Sequence, residues 1–321
     1  MKNTLSERRK ALAEIRRNRR KHLIANIKRD KWLILMALGP VIFLTIFCYV
    51  PMFGAFSGFQ KVNLRGEFWT HEWVGIAHII SFFEGYYAST VIRNTLAISI
   101  GSLIGSTVVQ IFLALLFSEM RNSRFKRITQ SLTFFPHFLS TAVVVYMMVN
   151  MFAPGDGILT TTLMEWLGYH NADVFNNPDL FWPLYILSGI WQGAGWGSII
   201  YLGAINSIEP SLYEAAAIDG AGRLQRIWHI TLPGIKVITV TLLILGIGGL
   251  MNVSLVKVML MSRETTWETS DVISTYVYRQ AMSWGDFGMA TAVGLFNSVV
   301  NLILLLLANV ASKKWSEVSI F

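Results

Sequence analysis

The sequence has little charge and almost no cysteine. Of its 321 residues, 14% are charged and 53% are hydrophobic, and the mean hydropathy is +0.49. A soluble domain with a hydrated surface needs more charge than this, so that class is excluded. The single cysteine, Cys48, cannot form an intrachain disulfide and does not indicate a compartment. The apolar residues must therefore contact lipid, and the composition predicts an all-α integral membrane protein.

Motifs for nucleotide, metal or covalent chemistry are also missing from the sequence. No G-x-x-x-x-G-K-[ST] phosphate loop occurs, so the chain does not bind ATP in the P-loop manner. The six histidines include no H-E-x-x-H pair or other close metal-ligand spacing, and no metal site is predicted. The spacing of the Ser, His and Asp residues does not indicate a Ser–His–Asp catalytic triad. We therefore predict no catalytic site and no cofactor bound by this chain.

Six apolar segments are long enough to cross a membrane as helices. A spanning helix needs about 20 mostly apolar residues to cross roughly 30 Å of hydrocarbon. Pro40 and Pro136 lie inside the first and third segments and predict kinks there. The first segment is too long for a signal peptide, so it is predicted to remain as a helix. The predicted spans are Trp32–Val50, Thr95–Phe117, Ser131–Phe152, Leu180–Ile205, Ile235–Leu255 and Gly288–Val310.

The basic residues are unevenly distributed along the chain. Twelve of the 27 Lys and Arg residues lie in positions 1–31, whereas residues 153–179 contain none. Cytoplasmic loops carry excess Lys and Arg, so this distribution predicts that both termini are cytoplasmic. Topology explains the net charge of +8, and no nucleic-acid partner is predicted. Residues 1–31 form either an amphipathic helix on the inner leaflet or a flexible tail. The remaining basic loops contain Arg121, Arg124, Lys126, Arg127, Arg223, Arg226, Lys313 and Lys314.

The cytoplasmic connection between the fourth and fifth spans contains a short predicted helix. Ser211 and Glu214 have the spacing of a capping box, which predicts that the helix begins at about Leu212. Gly220 predicts its end, because glycine can adopt the left-handed conformation after a helix. Residues 215–217 are all alanine, and such a smooth surface allows close approach to another protein. This connection is therefore predicted to dock a partner.

This connection resembles the EAA loop of binding-protein-dependent ABC importer permeases. Glu214-Ala215-Ala216, then Gly220 after three intervening residues, then Ile230-x-Leu232-Pro233 after nine more reproduce that loop with its spacing. The chain is identified as a member of that family, with a core at about 90–312 and an EAA loop at 207–233 inside a permease domain of residues 32–321. The wider pattern is similar to the carbohydrate branch, in particular to Gram-positive permeases for oligosaccharides from complex polysaccharides such as rhamnogalacturonan.

The resemblance implies a type I importer in the plasma membrane of a bacterium. Its expected parts are a second homologous permease, two cytoplasmic ATPase subunits that bind ATP and Mg, and an extracellular solute-binding lipoprotein. The EAA helix would sit in a cleft of the ATPase, where Glu214 meets a basic group, and would couple ATP hydrolysis to alternating access. The coupling residues implied by the resemblance are Glu214, Ala215, Ala216, Asp219, Gly220, Ile230, Leu232 and Pro233.

Polar and aromatic residues within the spans are candidates for the substrate path. A sugar site combines aromatic surfaces with amide or hydroxyl partners, and polar groups in a membrane are costly unless they are paired or face water. Asn297 and Asn301 are one turn apart and form either pore wall or an interhelical hydrogen bond. The candidates are Trp191, Gln192, Trp196, Asn252, Asn297 and Asn301.

Two alternatives to an oligosaccharide permease remain open from the sequence. The first is an importer permease for another solute, such as an amino acid or peptide. The second is a membrane-embedded glycosyltransferase, which would need an acidic cluster at a membrane face. The chain has isolated acids there, such as Glu209 and Asp219, but no such cluster.

Overall fold

The computed structural model describes residues 29–62, 72–164, 166, 168 and 173–316. The predicted basic segment therefore lies outside the described residues, apart from its last three positions. The described chain divides into two compact parts, and the boundary along the sequence lies between Phe56 and Ser57. The first part contains α1 (Lys31–Leu44), whose helical conformation continues through Pro40, and a π-helical turn at Thr45–Tyr49.

The second part is almost entirely helical. The chain enters it within a 3-10 segment, Val50–Phe59, which contains the boundary, and the two-residue strands β1 (Gln60–Lys61) and β2 (Glu72–Trp73) then pair antiparallel. The helices that follow are α2 (Ala77–Glu84), α3 (Tyr87–Glu119), α4 (Ser123–Phe134), α5 (Thr141–Met151), α6 (Pro178–Asn206), α7 (Pro210–Ile218), α8 (Arg223–Arg226), α9 (Leu232–Gly234), α10 (Lys236–Ile247), α11 (Leu255–Met261), α12 (Trp267–Ser270), α13 (Ile273–Met282) and α14 (Phe287–Ser316).

Three helical segments within the described residues are long and apolar enough to cross a membrane: Lys31–Phe59, Tyr87–Glu119 and Phe287–Lys314. Two bent helix pairs raise the count to as many as five. The 29-residue helix α6 has the necessary length but is not among them. Its Trp, Gly and Gln residues lower its hydropathy, so length and composition alone leave the predicted fourth span undetected.

The predicted third span is not one straight helix. The segments Ser123–Phe138 and Thr141–Met151 meet at 100°. Pro136 lies in a short 3-10 turn, Phe135–Phe138, and Ser140 then caps α5 by accepting a hydrogen bond from the Val143 backbone N–H. A proline without a backbone donor followed by an N-cap serine starts a new helix in a new direction. The predicted kink at Pro136 is confirmed, but it is a right-angled break.

The predicted fifth span also departs from a continuous helix. Helix α10 ends at Ile247, and residues 248–254 are not helical before α11 begins at Leu255. Gly248 and Gly249 follow the last helical residue, where glycine lowers the stability of a helix. A Cβ atom on Gly248 would lie 2.9 Å from Leu305 of α14, so this glycine also permits close helix packing.

Helices α3 and α6 pack closely along each other. A Cβ atom on Gly101 or Gly105 would lie 2.6 or 2.7 Å from the side chain of Ile186 or Ile190, so these two glycines of α3 permit the close approach of α6. Buried side chains from α3, α5, α6 and α11 form one core around Ile98. This packing fixes α6 and α11 beside each other, and both carry candidate site residues.

Candidate functional site

The predicted coupling helix is present as α7, Pro210–Ile218. It begins earlier than predicted: Glu209 is the N-cap residue, Pro210 occupies the first turn, and no side-chain capping bond is formed. The predicted capping box of Ser211 and Glu214 is therefore wrong. Proline has no backbone N–H to satisfy and its fixed φ suits the first helical position, so Pro210 starts the helix without a cap.

The predicted end of α7 at Gly220 is confirmed. Gly220 has φ +77°, in the left-handed region. The Ala221 N–H donates to the Ala216 carbonyl at 2.9 Å, and the Gly220 N–H donates to the Ala217 carbonyl at 3.2 Å. These two bonds form a Schellman motif, which satisfies carbonyls that the helix end would leave free. The chain direction after α7 is thus set by Gly220.

One side-chain contact joins the rest of this loop to α7, and a second stabilises the start of α8. The Tyr213 hydroxyl lies 3.0 Å from the Thr231 hydroxyl, between the predicted coupling residues Ile230 and Leu232. The Gln225 side chain accepts a hydrogen bond from the Gly222 N–H at 2.7 Å. The structure therefore brings the EAA segment and the Ile-x-Leu-Pro segment together. Pro233 lies in the following helix, α9.

The predicted coupling loop presents an exposed surface, and its Glu214 carboxylate is unpaired within the described residues. No residue of α7 is buried, and Glu214 forms no hydrogen bond or salt bridge within the described part of the chain. The Ile218 side chain, at the end of the helix, is 86% exposed. A cavity of about 350 Å³ adjoins α7 and is lined by Ala216, Asp219, Gly220, Ala221, Gln225, Arg226, His229 and Ile230. An exposed carboxylate beside an apolar side chain can dock a partner protein with a basic group.

Three predicted path residues, Asn252, Asn297 and Asn301, form one hydrogen-bonded cluster. Asn252 lies in the non-helical stretch between α10 and α11, and its Oδ1 atom accepts hydrogen bonds from the side-chain amides of Asn297 and Asn301, each at 3.2 Å. The Asn301 Oδ1 atom accepts from the Met251 N–H at 2.9 Å. The two α14 asparagines thus form hydrogen bonds to another segment of the chain, although Asn252 is not in a helix.

The other three predicted path residues lie on α6 and do not form one group. Gln192 donates to the Leu139 carbonyl at 2.8 Å, and the Trp196 ring stacks on His137 with ring centroids 4.8 Å apart. Trp191 is 52% exposed and lies about 140° around the helix from Trp196 at 3.6 residues per turn. Gln192 and Trp196 therefore share a face that Trp191 does not join.

Sequence reasoning missed Tyr185, which lies beside Asn252, and Lys257, which contacts Tyr185. A cavity of about 290 Å³ is lined by both Tyr185 and Asn252. Lys257 of α11 is 6% exposed, and its Nζ atom lies 4.2 Å from the centre of the Tyr185 ring. The sequence did carry a signal, because Lys257 is the one charged residue within the apolar helix Leu255–Met261.

Comparison with known proteins identifies the family of this chain. A family model described as "Binding-protein-dependent transport system inner membrane component" matches residues 110–317, which include the predicted coupling loop and the asparagine cluster. The chain belongs to this family. The predicted family is therefore confirmed, and so is the prediction of a transport subunit and not an enzyme.

Curated relatives of this inner membrane component align over nearly its whole length. The "Polygalacturonan/rhamnogalacturonan transport system permease protein YteP" of Bacillus subtilis is 40% identical over 306 residues, which is 95% of each chain. "Protein LplB" of the same organism is 36% identical over 298 residues, 93% of each chain. The "Arabinooligosaccharides transport system permease protein AraP" is 28% identical and covers 85% of this chain and 84% of its own.

Two solved structures share the fold of this inner membrane component. One is the "Crystal structure of a bacterial ABC transporter involved in the import of the acidic polysaccharide alginate", with a TM-score of 0.84, 36% identity, and coverage of 92% of this chain and 99% of that chain. The other shows the alginate transporter "in complex with alginate pentasaccharide-bound periplasmic protein", with the same TM-score and identity and coverage of 92% and 98%.

Proposed function

We propose that this chain is a membrane-spanning permease of an ATP-binding-cassette importer for oligosaccharides. The observation that carries the proposal is the exposed helix α7, with its left-handed Gly220 cap and exposed Glu214, in a chain of this family. Relatives that align over nearly the full length are named for polygalacturonan/rhamnogalacturonan transport or for import of alginate. A permease for amino acids or peptides and a glycosyltransferase are not favoured, because these relatives carry the names of carbohydrate importers.

The permease domain has six spans in this proposal, with both termini in the cytoplasm. The proposed domain comprises residues 32–321 after a basic segment at 1–31, with a core at about 90–312. The bent pairs α4–α5 and α9–α10 support the third and fifth spans, and the length of α6 supports the fourth. The Lys and Arg distribution supports the orientation, since cytoplasmic loops carry the excess of basic residues.

The coupling loop at 207–233 meets one of two cytoplasmic ATPase subunits in this proposal. Those subunits hold ATP and Mg, while a second, homologous permease completes the pathway and an extracellular lipoprotein delivers the sugar. Residues of α7 remain exposed, as expected of a helix that another protein covers. Closure of the ATPase pair would move α7 and switch the permeases between inward- and outward-facing states.

The oligosaccharide passes along residues of α6 and the asparagine cluster in this proposal. The stacked rings of Trp196 and His137 offer an aromatic surface for the apolar face of a sugar ring. Among the described hydrogen bonds, none uses the side-chain nitrogen of Asn252, so that amide can donate to a sugar hydroxyl. Trp191, on another face of α6, is the weaker candidate.

ATP hydrolysis by the reconstituted complex tests this function. The complex is incubated with its solute-binding protein and a panel of oligosaccharides, amino acids and peptides. We expect stimulation of hydrolysis by oligosaccharides alone. Stimulation by an amino acid or peptide, with none by any oligosaccharide, would overturn the proposed substrate class.

A further inference from the structure

Lys257 is a buried cation without a buried counter-ion in the described part of the chain. It is 6% exposed, and it forms no salt bridge with any described carboxylate. Its ammonium group donates one hydrogen bond, to the Tyr185 carbonyl at 2.8 Å, and lies over the Tyr185 ring. An ammonium has three N–H donors, so this one bond leaves two for another partner.

Keeping this charge inside the protein is costly. Removing an ion from water costs several kcal/mol unless an opposite charge and further hydrogen bonds compensate it. A cation–π contact and one carbonyl compensate only part of that cost. Ionisable residues in membrane proteins commonly mark substrate pathways for this reason. A substrate anion that binds transiently would supply the missing counter-ion of Lys257. A permanent carboxylate of the protein would instead neutralise the ammonium and leave no charge for a substrate.

The Lys257 ammonium lies at one end of an open face of α6. It is 3.2 Å from the place that a Cβ atom of Gly189 would occupy. One turn further, a Cβ atom on Gly193 would have no atom within 4 Å, so the surface of the helix is open there. The stacked rings of Trp196 and His137 follow. From Gly189 to Trp196 the helix rises about 10 Å, and these positions lie within about 100° of one another around its axis.

We propose that this face of α6 binds the transported oligosaccharide and that Lys257 determines specificity for a carboxylate group on it. The proposal rests on the proposed oligosaccharide function and names its substrate class: sugars that carry uronic acid groups. Gly189 leaves room for the Lys257 ammonium, the open surface at Gly193 admits the sugar, and Trp196 with His137 supplies a ring surface. The ammonium supplies a charge-assisted hydrogen bond to the carboxylate.

If Lys257 has only a structural role, transport should depend on its hydrogen-bond donor and not on its charge. If the side chain only joins α11 to α6 through the Tyr185 carbonyl, a neutral amide donor should serve. Lys257→Gln keeps a donor and removes the charge, and Lys257→Arg keeps the charge. Lys61→Gln is the matched control, because Lys61 is an exposed lysine of β1.

The test compares two forms of one sugar in the reconstituted importer. Stimulation of ATP hydrolysis is measured with binding protein saturated with galacturonate trisaccharide or with its methyl ester, which lacks the charge. We expect the wild type and Lys61→Gln to prefer the acid. In Lys257→Gln the ratio of acid to ester stimulation should fall about tenfold or more, because a buried charge pair is lost. Lys257→Arg should retain the preference.

The outcomes separate this inference from the function on which it rests. An unchanged acid-to-ester ratio in Lys257→Gln, or equal stimulation by both sugars in the wild type, would overturn the role of Lys257 and leave the oligosaccharide function intact. Stimulation by neither sugar nor any other oligosaccharide would contradict the function itself. If Lys257→Gln does not assemble, the test rests on Lys257→Arg. Loss of the preference for the acid sugar in Lys257→Arg would overturn the proposal.

Discussion

Asn301 of α14 is hydrogen-bonded to Asn252, with its side-chain nitrogen 3.2 Å from the Asn252 Oδ1 atom. The Asn301 Oδ1 atom accepts from the Met251 backbone N–H. One side chain thus holds the non-helical stretch that follows α10, where backbone groups lack helical partners. Irregular backbone at membrane depth is tolerated only where such partners satisfy it. The asparagine therefore stabilises the interruption of the predicted fifth span.

Replacing Asn301 with alanine should destabilise the protein more than replacing Asn297. Asn301 is 8% exposed, and its loss leaves the Met251 N–H without its partner, at a cost of about 1–3 kcal/mol. Asn297 contributes a single described bond, to Asn252, and interhelical bonds of this kind average about 0.6 kcal/mol. Melting temperatures of the two detergent-solubilised variants check this order. Equal melting temperatures would contradict the role assigned to Asn301.

Gly220→Val should impair coupling without unfolding the membrane helices. Gly220 has φ +77°, and a β-branched residue resists this conformation. The cost of a left-handed residue is about 1–2 kcal/mol, which is enough to displace the chain after α7. The measurement is substrate-stimulated ATP hydrolysis of the assembled complex.

Gly222→Ala is the control for the Gly220 variant. Gly222 lies in the same loop with φ −68°, and an added Cβ atom would be 3.6 Å from Gln225, an ordinary contact. We expect normal stimulation in this control. Normal stimulation in Gly220→Val as well would show that the left-handed cap is not needed for coupling.

Glu214→Lys should uncouple ATP hydrolysis from transport. The proposed ATPase cleft presents a basic group to Glu214, and repulsion between like charges at a partly desolvated interface is stronger than at an open surface. Since α7 has no buried residue, the substitution should leave the melting temperature unchanged. Glu209→Lys, at the exposed N-cap of the same helix, is the control and should transport more than Glu214→Lys. Equal transport by both variants would refute the docking role of Glu214.

Trp196→Ala should reduce sugar uptake more than Trp191→Ala. Trp196 stacks on His137 and lies on the face of α6 that carries Gly193, whereas Trp191 lies on a different face. Loss of one aromatic surface should cost about 1 kcal/mol, which is severalfold in apparent sugar affinity. Melting temperature is measured beside uptake. A lower melting temperature with unchanged apparent affinity would assign Trp196 to packing alone.

The sequence predicted local features of this fold well. Gly220 could be assigned as the end of α7 because a left-handed cap depends on one residue and its neighbours. The bounds of α6 and α14 also lie close to the predicted spans. The start of α7 was missed because two local signals, Pro210 and the Ser211–Glu214 pair, competed.

Features that depend on contacts between distant segments could not be predicted in the same way. The predicted third and fifth spans remain largely apolar through their breaks. Hydropathy therefore does not show where their helices stop. The position of Lys257 beside Gly189 depends on how α11 packs against α6. The partners of Asn252 lie on α14, and sequence spacing indicated only that Asn297 and Asn301 share a face.

Uptake of labelled oligosaccharide into proteoliposomes tests the central claim most directly. The liposomes contain this chain with its second permease and ATPase, and the solute-binding protein is added outside with the ATP supply inside. We predict accumulation that requires ATP, the binding protein and Glu214, so that Glu214→Lys assembles but does not accumulate sugar. Accumulation that is independent of ATP, or equal in Glu214→Lys, would contradict an ATP-driven importer coupled through α7.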